Sequence, residues 1–591
     1  MLKERSYCGE LSILDIGKRV LLCGWVAMKR DLGGIIFIQL RDVTGIIQVL
    51  IDSSNSSDMF SIAEEIKSEY CILARGLVRR RFEDNINPDL VTGELEIVVD
   101  HIEILNTSNT PPIPLEFKVS VSEDMRLRYR YLDLRREDMR EAIIKRHILM
   151  QSVRKYLSQN RFLEIETPIL NKSTPEGARD FLVPSRINKG MFYALPQSPQ
   201  LFKQILMVSG FDRYFQITKC FRDEDLRYDR QPEFTQIDIE MSFIVPDDII
   251  EIIEELLRDM VKDVIGKEIK IPFQRISYDN AIARFGTDAP DMRFDIELID
   301  CSDIFQNTEF KVFESALSGG GIVKGIAISD QGKISRKTIE EYTEYVRAFK
   351  AKGLPWIRCK DGSFVGGISK FINEEQRVIL IERFNIQGNT IVFFSSDSQI
   401  IVNDTLANLR KRIADDLDLI NKDELNFLWV TDFPLLEYNN DEKRFFAKHH
   451  PFTSPMPAHI DLLDSINPDN VERVKSQAYD IVLNGVEIGG GSIRISNIEL
   501  QKKMFSILGI PEEEYKQKFS FLIEALGYGA PPHGGIALGL DRILMLLINR
   551  DSIRDVIPFP KTHRGQCLMS EAPAHVSLEQ LKELGIRVVE R

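Results

Sequence analysis

Three separated strings hold the side chains best suited to chemistry: Cys220-Phe221-Arg222-Asp223-Glu224-Asp225, Glu487-Ile488-Gly489-Gly490-Gly491-Ser492-Ile493-Arg494 and Gly539-Leu540-Asp541-Arg542. Each supplies an arginine, whose planar fork matches phosphate or carboxylate oxygens. The second adds a carboxylate suited to a hard divalent cation and glycines that admit close backbone approach. Taken singly, Arg-x-Glu reads as a surface ion pair and a glycine run as a tight turn. Together and in this order they read as a nucleoside triphosphate site on an antiparallel sheet, where fixed cations offset charge that builds in a transition state.

The spacing sets further expectations. Arg222 and Glu224 share a face if they lie on a strand. In Phe234-Thr235-Gln236-Ile237-Asp238-Ile239-Glu240-Met241 the even positions make a polar face with one aromatic, and the odd positions make a packing face. Any half-buried sheet shows such alternation, so it supports a ligand-facing wall without requiring one. Glu487 and Arg494 are seven residues apart; both face a ligand only if a bulge or strand end falls near Gly489 to Gly491. Ser198 and Pro199 predict a helix start, with Gln200 and Lys203 on one helical face.

These groups need a large frame. At 591 residues the chain exceeds what one core sustains, so several domains are expected. Residues 1–108 show five alternating runs, at 20–26, 35–41, 46–52, 71–79 and 95–105. A helical stretch at 57–69 follows the third run, the order of an OB-fold barrel. Residues 109–140 form a proline-marked hinge, and within 126–146 eight Lys or Arg stand against four acids. From charge alone, that segment reads as a solvated helix face. A core runs over 141–285, opening on a helix at 141–160 and a strand at 162–170 in which Pro168 marks an edge or end. Residues 286–424 are too long for a loop and form an inserted domain with strands and a helix near 338–350. The core resumes over 425–560, and 561–591 is a C-terminal extension. The class is α/β of the α+β kind.

Composition excludes several roles. Hydrophobic residues make up 43% and charged ones 28%; no apolar run approaches the roughly 20 residues of a membrane span. The first residues lack a signal-peptide core, so a cytoplasmic location is expected. Seven cysteines stand singly, without zinc or disulfide spacing. A net charge of −14 argues against coating DNA or other nucleic acid non-specifically, while leaving room for one specific RNA.

The three strings and their surroundings resemble the motifs of class II aminoacyl-tRNA synthetases, subclass b, and most closely the bacterial-type aspartyl-tRNA synthetases. That resemblance implies an ATP-dependent ligase that forms aspartyl-adenylate and transfers aspartate to the 3′ end of tRNA-Asp. The alternative is a non-discriminating ligase that also charges tRNA-Asn. It implies ATP as substrate and Mg²⁺ as cofactor. Arg222, Arg542 and Glu487 would be catalytic, and ATP would meet Arg222, Asp223, Glu224, Gln231, Phe234, Glu487 and the run Gly539, Leu540, Asp541 and Arg542. Asp480 and Glu487 would hold the metal. Lys203 and Arg494 would take the aspartate side chain. Asp238, with Gln200 and Glu176, would take its ammonium, Arg222 its α-carboxylate, and His449 and His450 would lie nearby. Glu176 belongs to Ser173 to Asp180, which resembles a loop that closes over the amino acid.

On the barrel, the resemblance implies an anticodon face with Arg30, Leu32, Phe37, Gln48, Asn85 and Glu96. Met28 and Leu50 depart from the family's frequent arginine and aromatic, and Leu32 is closer to enzymes that reject tRNA-Asn. The proline-containing segment 162–170 resembles the family's dimer interface and implies a homodimer. Two rivals are a related ligase for asparagine or lysine and a non-catalytic RNA-binding protein.

Overall fold

Alternating apolar residues close the N-terminal strands of the computed structural model into a barrel. The structure describes residues 4–54, 56–116, 119–174, 177–330, 332–360 and 362–589. Arg19–Asp31, Ile35–Arg41, Ile46–Asp52, Cys71–Arg80 and Leu95–Asn106 pair in the closed order first, second, third, fifth, fourth. Val26, Ile36, Ile38, Leu40, Ile47 and Val49 point inward and are fully buried. The helix Ser57–Glu65, capped by the Ser56 hydroxyl, adds Met59 and Ala63 to this core. It ends sooner than the expected 69, because Ile66 turns extended.

The basic segment is not a solvated face. Arg130, Arg136 and Arg146 are 2%, 6% and 9% exposed, and Arg126 and Arg130 both pair with the fully buried Asp133. Charge was legible there, but the buried partners were not.

By contact the chain divides into two units, residues 1–143 with 558–562 and 566–573, and residues 144–557 with 563–565 and 574–591. The second unit is built on an eight-stranded sheet. Its order is Gln274–Ser277, Phe427–Thr431, Ala478–Leu483, Val486–Ile493, His533–Gly539, Glu233–Ser242, Arg213–Phe221 and Leu163–Glu164. The outermost pairs are parallel and the rest antiparallel. The amphipathic helix Pro246–Ile265 buries Ile249, Ile253, Leu256 and Met260 and stops at Gly266, whose φ of 70° suits glycine. The expected strand at 162–170 shrinks to Leu163–Glu164, and Pro168 lies beyond it.

A separate five-stranded sheet occupies the stretch between the two parts of the eight-stranded one. Its strand Thr390–Asp397 sends Ile391 and Phe393 into one apolar cluster and Val392 and Phe394 into another, so helices cover both faces. The helix expected at 338–350 is Arg336–Val346 with a 3₁₀ turn, Arg347–Phe349. Among the described residues no helix is long and apolar enough to cross a membrane.

Candidate active site

The polar face of Glu233–Ser242 forms one wall of a cavity of about 580 Å³ in the second unit. Phe234, Gln236 and Asp238 look into it, while Ile237 and Ile239 pack fully buried on the other side. Two neighbouring strands contribute Glu487, Gly490, Ser492 and Gly539. The bulge that Glu487 and Arg494 require is present: Gly489 pairs with Ile481 but Glu487 with Val482, leaving Ile488 as the extra residue just before the glycines. It puts Glu487, Gly490, Ser492 and Arg494 on one face. A Cβ on Gly490 would lie 2.6 Å from Asp480 Oδ1, so the absent side chain leaves the carboxylate its place.

At the inner end, four buried charges interlock. Lys203 Nζ donates to Asp238 Oδ1 at 2.9 Å and lies 3.2 Å from Glu240 Oε2. Arg494 Nε donates to Glu240 Oε1 at 3.1 Å and its Nη1 to Ser492 Oγ at 2.8 Å. Lys203 and Gln200 come from the helix Gln200–Val208, which starts one turn position later than expected, with Pro199 as cap and Ser198 Oγ accepting from Gln200 N–H. Burial pushes Asp238 up to about 6 despite Lys203. Burial opposes charge on Glu240 too, but Arg494 and Lys203 hold it below the usual carboxylate range. Among the described residues, Asp238 Oδ2 and Gln200 Nε2 are buried here without a hydrogen-bond partner. His450 is held neutral by burial and by Arg494 and Lys203, and its Nε2 is likewise unpartnered.

The outer end is arranged for phosphate and base. Arg222 lies with its guanidinium carbon 5.1 Å from the Phe234 ring centre and, among the described residues, meets no carboxylate. Arg542 Nη1 donates to the Glu487 carbonyl at 2.7 Å and Nη2 to Asp229 at 3.1 Å. His449 Nε2 lies 3.3 Å from Asp480, whose charge raises it against burial. Burial and the Asp480 charge push Glu487 up to about 7.

Several expectations need correction. Arg222 and Glu224 do not share a strand face, because the strand ends at Phe221. Glu224 pairs with Arg230 at 3.2 Å and still lines the cavity with Gln231. Asp223 lies off the wall, beside Arg179. Leu540 is fully buried and off the wall; Asp541 lines the cavity, but both its oxygens are taken by protein donors, Thr235 N–H at 2.7 Å and Arg146. Glu176 lies outside the described residues; its loop is tied by Gln197 to Ala178 at 2.8 Å. The sequence reading gave no role to Glu240, Asp229, Asp288 or Lys448, although all but Glu240 line the cavity. Glu240 was in view on the polar face of its strand, but its partners come from 37 residues before it and 254 after.

On the barrel's outer surface the register aligns two rows. Arg30 faces Phe37, which faces Leu50; Gln39 lies between Met28 and Gln48, and Gln48 faces Glu96. Gln48 Nε2 donates to Glu96 Oε2 at 3.0 Å, and Arg79 Nε donates to Oε1 at 3.1 Å. Leu32 is 71% exposed at the loop tip, and Asn85 sits on the exposed turn Glu83–Asn85.

A family model described as tRNA synthetases class II (D, K and N) matches residues 122–563. The chain belongs to this family. A second model, an OB-fold nucleic acid binding domain, matches residues 20–105. Among relatives of this class II synthetase, one from Caldanaerobacter subterraneus subsp. tengcongensis is 51% identical, covering 99% of this chain and 98% of its own. One from Persephonella marina is 53% identical over the same shares. Both are named aspartate–tRNA(Asp/Asn) ligase. Among solved structures, asparaginyl-tRNA synthetase from Pyrococcus horikoshii with asparaginyl-adenylate matches with a TM-score of 0.59 at 20% identity, covering 95% of this chain and 98% of that one. At that identity the likeness concerns the fold.

Proposed function

We propose that the protein is an ATP-dependent aspartate–tRNA ligase that charges both tRNA-Asp and tRNA-Asn. The names of its full-length relatives favour the wider specificity over charging of tRNA-Asp alone. The observation that carries the amino-acid choice is the buried set Lys203, Arg494, Asp238 and Glu240. Lys203 and Arg494 receive the substrate's side-chain carboxylate, while Asp238 Oδ2, with Gln200, accepts from its ammonium. Arg222, free of an ion partner among the described residues, binds the α-carboxylate and α-phosphate together.

The carboxylate attacks the α-phosphorus, the bond to pyrophosphate breaks, and aspartyl-adenylate forms. The terminal adenosine hydroxyl of tRNA then attacks the acyl carbon, and AMP leaves. Positioning and charge offset supply the acceleration, so no protein base is required. Phe234 stacks on adenine, with Arg542 across from it. Asp480 and Glu487 set two carboxylates side by side, and burial with the Asp480 charge pushes Glu487 up to about 7, a strain that a cation would relieve. These two residues would hold Mg²⁺, which when bound neutralises phosphate charge. Phe37 stacks on an anticodon base, Arg30 meets backbone or a base, Gln48 a base edge, and Asn85 and Glu96 the remaining bases.

The exposed Leu163, Ile169 and Leu170 suit a homodimer interface. The domains are 1–108 for the anticodon, 109–140 as hinge, 141–285 and 425–560 for catalysis, 286–424 as insertion and 561–591 as extension. A tRNA substrate places the work in the cytoplasm. The test is charging of purified tRNA-Asp and tRNA-Asn transcripts with labelled aspartate, ATP and Mg²⁺. Both should be charged; charging of tRNA-Asp alone restores the narrower reading, and charging of neither removes the ligase assignment.

A further inference from the structure

We infer that Arg146 is a positioning residue for ATP, tying together the two elements that carry the adenine-facing side chains. The inference rests on the ATP reading above. Arg146 projects from the helix Glu137–Gln159 and is 9% exposed. Its Nη1 donates to Asp541 Oδ1 and to the Val556 carbonyl at 3.2 Å, and its Nη2 donates to Thr235 Oγ1 at 3.0 Å. The circuit closes through Asp541 Oδ2, which accepts from Thr235 N–H at 2.7 Å.

One guanidinium and one carboxylate therefore fix Thr235 and Asp541 to each other. Each is the sequence neighbour of a proposed adenine contact, Phe234 and Arg542. On a strand, adjacent side chains point to opposite faces, so holding both the backbone and the hydroxyl of Thr235 sets the direction of Phe234 across the sheet. Asp541 stands in the first turn of the helix Leu540–Leu547 and sets the root of Arg542 in the same way. Buried ion pairs add little stability compared with apolar replacements, so this network is better explained by the geometry it imposes. The inner-end network of Lys203, Arg494, Asp238 and Glu240 shares none of its members. Errors introduced at Arg146 should therefore reach ATP and spare aspartate.

The test is aspartate-dependent pyrophosphate exchange by the full chain, comparing wild type with Arg146→Met, Arg146→Lys and Thr235→Val. Arg146→Met should raise the KM for ATP about tenfold or more while aspartate's KM stays within about twofold. Arg146→Lys, which keeps the charge for Asp541 but loses the fork, should recover part of the loss. Thr235→Val should give a smaller rise confined to ATP. An unchanged KM for ATP in folded Arg146→Met, or KM values for ATP and aspartate rising together, overturns the inference. If Arg146→Met does not fold, Thr235→Val decides by the same criterion. Absence of exchange in the wild type would instead remove the ligase reading itself.

Discussion

Arg494 and Glu240 form an enclosed ion pair, Nε to Oε1 at 3.1 Å, with side chains 5% and 0% exposed. Lys203 and Asp238, 1% exposed each, complete a set of two cations and two anions. An incoming aspartate brings two carboxylates and one ammonium, and Arg222 supplies the remaining positive charge. The account closes for a substrate of net charge −1. Asparagine leaves it open, and a site whose buried polar groups lose their partners discriminates strongly.

Arg494→Leu should therefore do two separable kinds of damage. It abolishes aspartate binding, and it leaves Glu240 buried with only Lys203, at a cost of about 3 kcal/mol. The double variant Arg494→Leu with Glu240→Gln should recover much of the stability and none of the aspartate affinity. Urea unfolding and aspartate binding, measured on the same preparations, check both halves. Recovery of affinity in the double variant would show that Arg494 does not touch the substrate.

Arg222 presents the opposite case. Because its guanidinium has no carboxylate partner among the described residues, Arg222→Ala should leave the unfolding midpoint nearly unchanged while adenylate formation falls by roughly 10² to 10³. Exchange kinetics beside a denaturation curve separate the two effects. A large loss of stability would reassign Arg222 to the fold.

The contrast between these arginines shows what the sequence made legible. Period-two alternation located the strand bearing Phe234 and Asp238, and odd spacing between Glu487 and Arg494 correctly called for a bulge, because both are local consequences of strand geometry. The barrel was legible for the same reason. Glu240 and Arg146 were not assigned, and Asp541 was expected to meet ATP rather than to tie Thr235 to Arg146, since each takes its meaning from partners more than 30 residues away. The strand at 162–170 was overextended because its composition suits pairing, while the ladder to the neighbouring strand stops after Ile165, whose N–H donates to the Phe215 carbonyl at 3.2 Å.

Asp238 should give aspartate binding a pH dependence. Its carboxyl sits at about 6 rather than 3.8 because burial disfavours the charge. Protonation is thus favoured in the folded state: its contribution to stability falls as pH rises from 3.8 to about 6, and the cost of the charge is fully present above that. The substrate ammonium needs the ionised form. Aspartate affinity should weaken by about tenfold per pH unit below that value, and binding should release protons into the buffer. Calorimetry in two buffers of different ionisation enthalpy measures the release; none at pH 6 would exclude Asp238 as the ammonium acceptor.

Gly490→Ala tests the carboxylate pair without removing either member. The new Cβ would meet Asp480 Oδ1 at 2.6 Å and Glu487 Oε1 at 3.5 Å, so Asp480 must turn away. The Mg²⁺ concentration giving half-maximal exchange should rise about tenfold or more, while aspartate binding without ATP stays near wild type. An unaltered Mg²⁺ requirement would mean that Asp480 and Glu487 do not serve the metal.

Phe37 tests whether the barrel's outer rows read tRNA. Phe37 is half-buried between Arg30 and Leu50, so truncation removes accessible aromatic surface without opening the core, to which its neighbours Ile36 and Ile38 belong. Base stacking on an aromatic side chain contributes about 1 to 3 kcal/mol. Phe37→Ala should therefore lower kcat/KM for charging by roughly 5- to 150-fold, by the same figure converted, and leave aspartate-dependent exchange untouched because that reaction needs no tRNA. The loss should be similar for tRNA-Asp and tRNA-Asn, since stacking is tolerant of base identity, whereas Gln48→Ala should shift the ratio between them only if their contacted base edges differ. Charging assays on both transcripts beside the exchange assay give all three numbers. An equal fall in exchange and charging would show that the substitution had damaged the enzyme as a whole, and an unchanged charging rate would move the anticodon contact elsewhere on the barrel.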